Sequence, residues 1–181
     1  MINKNNRFFE MRVKNGKVLI PIKKGIIVDS NIMLLFLVGS YDINYINIFK
    51  RTMKYTIEEY YFIRDLLTTY YYKDKVYTSP HILTELSNFS LNIQGNRINK
   101  YFDFFIKIFS DVCEIYIEKN KIIEFKELPK FGITDIGIFK IAKEKNLLVL
   151  TDDFRLSSYL LDNCINALNL RNISPDLWNS N

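Results

Sequence analysis

Short apolar runs alternate along the chain with segments in which apolar residues recur at helical spacing. The runs at 25–28, 75–78, 147–150 and 165–168 predict strands, and the first and third are apolar enough for burial on both faces. The helical spacing predicts helices that start at Ser30, Thr56, Ser79, Arg97, Thr134 and Leu156. Strands that alternate with helices predict an α/β fold with a mostly parallel, Rossmann-like sheet.

The first 24 residues have a different pattern. Strand-like stretches at 7–13 and 17–22 flank Asn15-Gly16, a dipeptide that favours the tight turn of a β-hairpin. We therefore expect a hairpin extension over residues 1–24, followed by one domain over residues 25–181.

Composition narrows the functional classes. With 181 residues, 48% of them hydrophobic, the chain is long enough for one domain with a sizeable core. Its longest apolar run, 32–38, is too short to span a membrane, and its first residues do not resemble a secretory signal, so we expect a cytoplasmic protein. The single histidine, His81, and the two cysteines argue against histidine-pair ribonucleases and zinc sites.

The candidate chemistry lies in the carboxylates. Asp29 and the pair Asp152-Asp153 each follow an apolar strand, and the carboxyl ends of parallel strands meet at one crevice. Glu85 lies early in a helix that follows a strand, and Asp135 lies in the first turn of another helix. The sequence therefore predicts a cluster of four or five carboxylates at one edge of the sheet.

Carboxylates packed this closely repel one another unless their pKa values shift or a cation binds. A site made only of oxygen ligands suits Mg²⁺ or Mn²⁺ better than zinc. Such an ion can activate water for attack on a phosphodiester and neutralise charge on the leaving oxygen. This mechanism needs no histidine.

Each acid also has a plain structural alternative. Asp135 and Asp153 suit the first turn of a helix, and Glu85 suits a solvated helix face. Asp29 is harder to explain in this way, since an unpaired carboxylate beside Ile26, Ile27 and Val28 would be buried at a cost.

Four short blocks in this order resemble the motifs of PIN domains: IVDSN at 27–31, SPHILTEL at 79–86, ITDIGI at 133–138 and LVLTDDF at 148–154. The resemblance implies a Mg²⁺- or Mn²⁺-dependent nuclease that cuts RNA, with Asp29, Glu85, Asp135 and Asp153 as catalytic metal ligands. PIN domains commonly have Thr, any residue, then Asp in the last block, which favours Asp153 over Asp152. Asn31 and Thr151 match the polar residues that support the acids.

Many bacterial PIN domains are toxins of toxin-antitoxin pairs, so the resemblance also implies an antitoxin partner and a homodimer. The chain departs from the compact toxins in its N-terminal extension and in the 56 residues that separate Asp29 from Glu85. Two other readings stay open. One is a noncatalytic PIN-like scaffold that binds RNA or protein, and the other is a phosphoaspartate-type phosphatase or receiver domain.

The sequence indicates substrate-contacting residues less clearly than it indicates the acids. The net charge of +5 favours polyanionic partners, and basic residues recur at helical spacing in three places: Lys50, Arg51 and Lys54; Arg97 and Lys100; Lys140 and Lys143. The run Tyr70-Tyr71-Tyr72 offers aromatic surface for stacking on bases, and His81 shares a predicted helix face with Glu85. Such groups are more often solvated helix faces and core.

Overall fold

The computed structural model describes residues 8–13, 16–21, 24–71, 75–93, 95 and 97–173. Seven strands occur in this part of the chain: β1 (Phe8–Val13), β2 (Gly16–Pro21), β3 (Ile26–Val28), β4 (Val76–Thr78), β5 (Cys113–Glu114), β6 (Leu148–Thr151) and β7 (Ala167–Asn169). The helices are α1 (Ser30–Tyr41), α2 (Ile57–Tyr71), α3 (Pro80–Ser90), α4 (Arg97–Phe109), α5 (Lys119–Ile123), α6 (Leu128–Lys145) and α7 (Phe154–Asp162). Short 3₁₀ turns cover Ile43–Asn47 and Leu170–Asn172.

The two N-terminal strands pair with each other and form the predicted hairpin. β1 and β2 are antiparallel, with Val13 opposite Gly16. Gly16 therefore belongs to the second strand rather than to the turn, and the turn residues lie outside the described chain. The division into an extension and a domain stays a prediction.

The main sheet is five-stranded and all parallel, in the order β5-β4-β3-β6-β7. The predicted α/β fold with a Rossmann-like parallel sheet is thus confirmed. From the central β3 the chain first builds outward through β4 and β5, and then returns to add β6 and β7 on the other side. The strand order reverses between β3 and β6, which is where open parallel sheets form their ligand crevice.

The central strands are buried because helices cover both of their faces. Ile26, Ile27 and Val28 are completely buried, and so are Val149 and Leu150 on β6. This is why both strands appear in the sequence as continuous apolar runs. Within the described residues no helix is long and apolar enough to cross a membrane.

The predicted start of a helix at Ser30 is confirmed, but Ser30 is the first helical residue and Asp29 takes the N-cap position, so the expected cap was wrong. Thr134 does not cap a helix either, since α6 already begins at Leu128 and has non-helical backbone angles at Gly132. The φ of +83° at Gly132 is strained for any residue with a side chain, and it redirects the helix just before Thr134. Both hydroxyls are used in side-chain contacts instead.

Smaller differences occur at element ends. β7 begins two residues later than predicted, and α7 begins at Phe154 rather than Leu156. The short β5 and α5 were not predicted, because two to five residues carry too little periodicity. The capping box at Thr56 is confirmed: its N–H donates to Glu59 (2.8 Å), and the Glu59 N–H donates to the Thr56 hydroxyl (3.1 Å).

Candidate metal centre

The first candidate acids lie where the strand order reverses. Asp29 directly follows β3, and Asp152-Asp153 directly follow β6. The two strands are neighbours, with Val28 opposite Leu150, and the Asp29 N–H donates to the Leu150 carbonyl at 2.9 Å. The parallel pairing therefore brings residues about 120 positions apart to one edge of the sheet, as the sequence predicted.

The side chain of Asp29 is held by one observed hydrogen bond. Its carboxylate is buried, with 7% exposure, and accepts a 2.7 Å hydrogen bond from the Thr151 hydroxyl. Burial, together with the charges of Asp152 and Glu85, raises the pKa of Asp29 to about 6, while the Thr151 hydroxyl and the nearby backbone N–H of Asn31 act in the opposite direction.

Glu85 is fixed by the two hydroxyls that do not cap helices. Ser30 Oγ donates to Oε2 at 2.7 Å, and Thr134 Oγ1 donates to Oε1 at 2.6 Å. The three side chains come from α1, α3 and α6, so these contacts tie three helices together beside Asp29. Because both oxygens accept from hydroxyls, the orientation of Glu85 is set by its neighbours.

The pKa of Asp135 is raised further than that of Asp29. It is partly buried, and burial followed by the charges of Asp29, Asp153 and Glu85 raises its pKa to about 7. The guanidinium of Arg155 acts in the opposite direction. The charges of Asp29, Asp153 and Glu85 thus act on Asp135, and the charge of Glu85 also acts on Asp29.

Asp152 is engaged elsewhere. Its Oδ2 accepts from Lys54 Nζ at 2.7 Å and from the Tyr55 hydroxyl at 2.8 Å, and Arg171 lies 3.8 Å away. Burial, then the charge and hydrogen bond of Asp152, raise the pKa of Tyr55 well above its usual range, so the phenol keeps its proton and donates. The charge of Asp152 is thereby neutralised by Lys54 and Arg171. Among the described residues, no cation lies within ion-pair distance of Asp29 or Asp135.

Asp153 has the helix-start role that the sequence offered as its structural alternative. It is the N-cap of α7, and its Oδ1 accepts from the N–H groups of Arg155 (2.6 Å) and Leu156 (3.1 Å). Its own N–H donates to the Thr151 hydroxyl at 3.0 Å. Its Oδ2 lies 4.0 Å from the Arg155 guanidinium, so this oxygen is only loosely engaged.

The donor set fits a hard divalent cation in its chemistry, since it consists of carboxylate oxygens alone. Among the described residues, however, no three Asp, Glu, His or Cys side chains are already gathered as the ligands of an ion. Like-charged carboxylates lower their repulsion by standing apart, so coordination of one ion by three of these acids requires their side chains to come closer together than they are in this structure.

The other sequence candidates lie in varied places. Tyr70 is completely buried and takes no part in a surface, while the side chain of Tyr71 and all of Tyr72 lie outside the description. The ring of His81 lies against Gly137 of α6. The backbone N–H of Asn31 lowers the pKa of Asp29 against the effect of burial.

Four residues around the acids were missed by sequence reasoning: Lys54 as a partner of Asp152, Tyr55, Arg155 and Arg171. Tyr55 and Arg171 lie far from Asp152 in sequence or outside any recognisable block, so only the fold brings them together. Arg155 follows Asp153 by two residues, and an N-cap at Asp153 would have predicted the bond from its backbone N–H to the Asp153 carboxylate.

Comparison with known proteins adds no identification. No protein-family model matches the chain, and no curated protein matches it at a significant level. The PIN-like reading of the four blocks therefore stays a hypothesis that depends on the residues and their geometry.

Proposed function

We propose that this protein is a Mg²⁺- or Mn²⁺-dependent endoribonuclease of the PIN type. The observation that carries the proposal is the raised pKa of Asp29 and of Asp135, to which the charges of neighbouring acids contribute, near the point where the strand order reverses. Carboxylates whose charged forms are disfavoured by burial and by like charge are costly to keep, unless they serve a function. A site that binds cations accounts for their presence.

Asp29, Asp135 and Asp153 would hold the ion, with Glu85 as a further ligand. When bound, a divalent cation supplies activation of water and neutralisation of charge on phosphate oxygens. Thr151 fixes the orientation of Asp29, and the hydroxyls of Ser30 and Thr134 fix Glu85. Asp152 holds Lys54 beside the acids instead of binding the ion.

The charge of the whole chain supports a polyanionic substrate such as nucleic acid. The net charge is +5, and the positive surplus comes from residues 1–24, which contain seven basic residues and one acidic residue. The choice of RNA depends on the resemblance of the motif blocks to PIN domains. A toxin role, an antitoxin partner, a homodimer and a cytoplasmic location are further predictions from the same resemblance and from the sequence.

The test is cleavage of a labelled single-stranded RNA by the purified chain. We expect cleavage with Mg²⁺ or Mn²⁺ and none in excess EDTA. Asp29→Asn and Asp135→Asn should each remove most activity, and the double variant should lose little more, because ligands of one ion act as a unit. Asp162→Asn, at the exposed end of α7, is the matched control and should retain activity.

Two results would contradict the proposal. Cleavage that continues undiminished in EDTA would exclude the metal mechanism. Metal binding without any cleavage of RNA would instead favour a noncatalytic scaffold.

A further inference from the structure

A cleft of about 610 Å³ lies beside the 3₁₀ turn that follows α1. Its lining combines apolar and aromatic residues with polar and basic side chains: Tyr45, Ile48, Phe49, Lys50, Arg51 and Asn92. All but Asn92 belong to the long stretch between Asp29 and Glu85, which is the part of the chain that departs from compact PIN toxins. The cleft is therefore a feature of this chain's own extra sequence.

Two basic side chains of this cleft are exposed to solvent and have no acidic partner among the described residues. Lys50 and Arg51 are both exposed, and no carboxylate of the described residues lies within ion-pair distance of either. The guanidinium of Arg51 stacks on the ring of Phe89 at 3.8 Å, which restricts where its charge can lie. By contrast, Arg97, over the ring of Tyr45, is partly neutralised by Asp42 at 3.9 Å.

The same segment leads to the acids. Lys54 follows Arg51 by three residues, so their Cα atoms lie within about 11 Å of each other. Lys54 is half-exposed and its Nζ lies 2.7 Å from Asp152, whose carboxylate is next to Asp153 in sequence. Phe89, beneath Arg51, lies one turn after Glu85 on α3. Two separate contacts thus connect the cleft to the candidate metal centre.

We infer that Lys50 and Arg51 form a binding site for the phosphates of single-stranded RNA, from which the strand passes Lys54 to the acids. The choice of RNA as occupant rests on the proposed function, and the positive charge itself is independent of it. Unpaired cations beside an acidic site serve a polyanion well, because they offset the repulsion between its phosphates and the carboxylates. The guanidinium of Arg51 also lies over the Phe89 ring at 3.8 Å, so its freedom is already restricted and less entropy is lost when it binds a phosphate.

The test is the salt dependence of RNA binding, measured by fluorescence anisotropy with labelled poly(U). The Asp29→Asn background with Mg²⁺ keeps the RNA intact. Because each phosphate contact on a single strand contributes about 0.7 to the slope of log K against log salt, Lys50→Gln/Arg51→Gln should lower that slope by about 1.4. Affinity at about 0.1 M salt should fall by at least about tenfold.

The matched control is Lys24→Gln/Lys145→Gln. It removes the same charge from two exposed residues, one just before β3 and one at the end of α6, at the opposite edge of the sheet from the acids. It should leave the slope unchanged. If loss of the Arg51 contact with Phe89 unfolds the double variant, Lys50→Gln alone should show about half of the change in slope.

An unchanged slope and affinity in the Lys50→Gln/Arg51→Gln variant would overturn the inference, as would an equal loss in the control. RNA cleavage by the wild type, measured in parallel, separates this result from the proposed function. Cleavage with an unchanged slope would support the nuclease proposal and overturn the proposed RNA-binding surface. A lowered slope without cleavage would support the RNA-binding surface and contradict the nuclease proposal.

Discussion

The hydroxyl of Thr151 donates a 2.7 Å hydrogen bond to Asp29 across 122 residues of sequence. The same oxygen accepts the N–H of Asp153 at 3.0 Å. One buried side chain therefore positions both an acid at the end of β3 and the backbone of an acid after β6. Its hydrogen bond also lowers the pKa of Asp29 against the effect of burial, which favours the ionised form that a cation needs.

Replacing Thr151 by Val removes this hydroxyl and keeps the shape of the side chain. We expect a loss of about 1 to 2 kcal/mol in the free energy of unfolding, since a hydrogen bond to a charged group is lost. We also expect weaker Mn²⁺ binding, because the pKa of Asp29 rises further. Thr151→Ser retains the hydroxyl and should keep most of the metal affinity. Equal metal affinity in the Val and Ser variants would mean that the hydroxyl does not orient Asp29.

The neighbouring acids Asp152 and Asp153 should give opposite results. Asp152→Asn leaves Lys54 without its charge partner and weakens the contact with Arg171, which keeps Glu59 at 3.4 Å. This change should cost about 1 to 3 kcal/mol of stability, while most cleavage remains. Asp153→Asn keeps a good N-cap and should change stability little, but it removes a metal ligand and most activity. Denaturant melts and cleavage rates measure the two effects. If Asp152→Asn abolishes activity and Asp153→Asn does not, the assignment of the ligand is wrong.

Stability without metal should depend on pH in a direction set by Asp29 and Asp135. Their pKa values are raised from 3.8 to about 6 and about 7, so between these limits the folded state binds more protons than the unfolded state. Stability therefore falls as the pH rises from about 4 to about 7, and the cost is complete above that range. In EDTA, the melting temperature of the wild type should fall more steeply from about pH 5 to about pH 8 than that of Asp135→Asn. Identical pH dependence in both proteins would show that the pKa of Asp135 is not raised in the folded state.

Much of the fold follows from short-range patterns. β3 and β6 are recognisable because strands buried on both faces must be apolar throughout, and α2 because Thr56 and Glu59 cap it reciprocally. Ser30 and Thr134 show the limit of such patterns. A hydroxyl near a helix start can cap the backbone or bond to a side chain on another helix, and the choice depends on Glu85, which is 55 and 49 residues away.

The site follows the same division. The position of Asp29 and Asp153 at the same edge of the sheet could be predicted, because parallel strands place their carboxyl ends at one edge. The partners of Asp152 could not be predicted, since Lys54 and Tyr55 reach it from 98 and 97 residues away in a segment without regular secondary structure. Contacts of this kind depend on the path of a loop through the fold, and the periodicity of the sequence does not predict that path.

The central claim is that Asp29 and its neighbours hold a divalent cation. Thermal melts of the wild type and Asp29→Asn, in EDTA and in millimolar Mn²⁺, test it without any substrate. A cation that binds only the folded state adds about 2.7 kcal/mol at a hundredfold excess over its Kd, or about 5 to 10 °C for a chain of this length. The wild type should show this rise.

Asp29→Asn removes a ligand and a repelling charge together. In EDTA it should melt at or above the temperature of the wild type, and Mn²⁺ should raise its melting temperature little. If Asp29 is instead held only by hydrogen bonds and touches no ion, the variant should melt below the wild type in EDTA, and Mn²⁺ should have the same small effect on both proteins. That second result would contradict the metal centre.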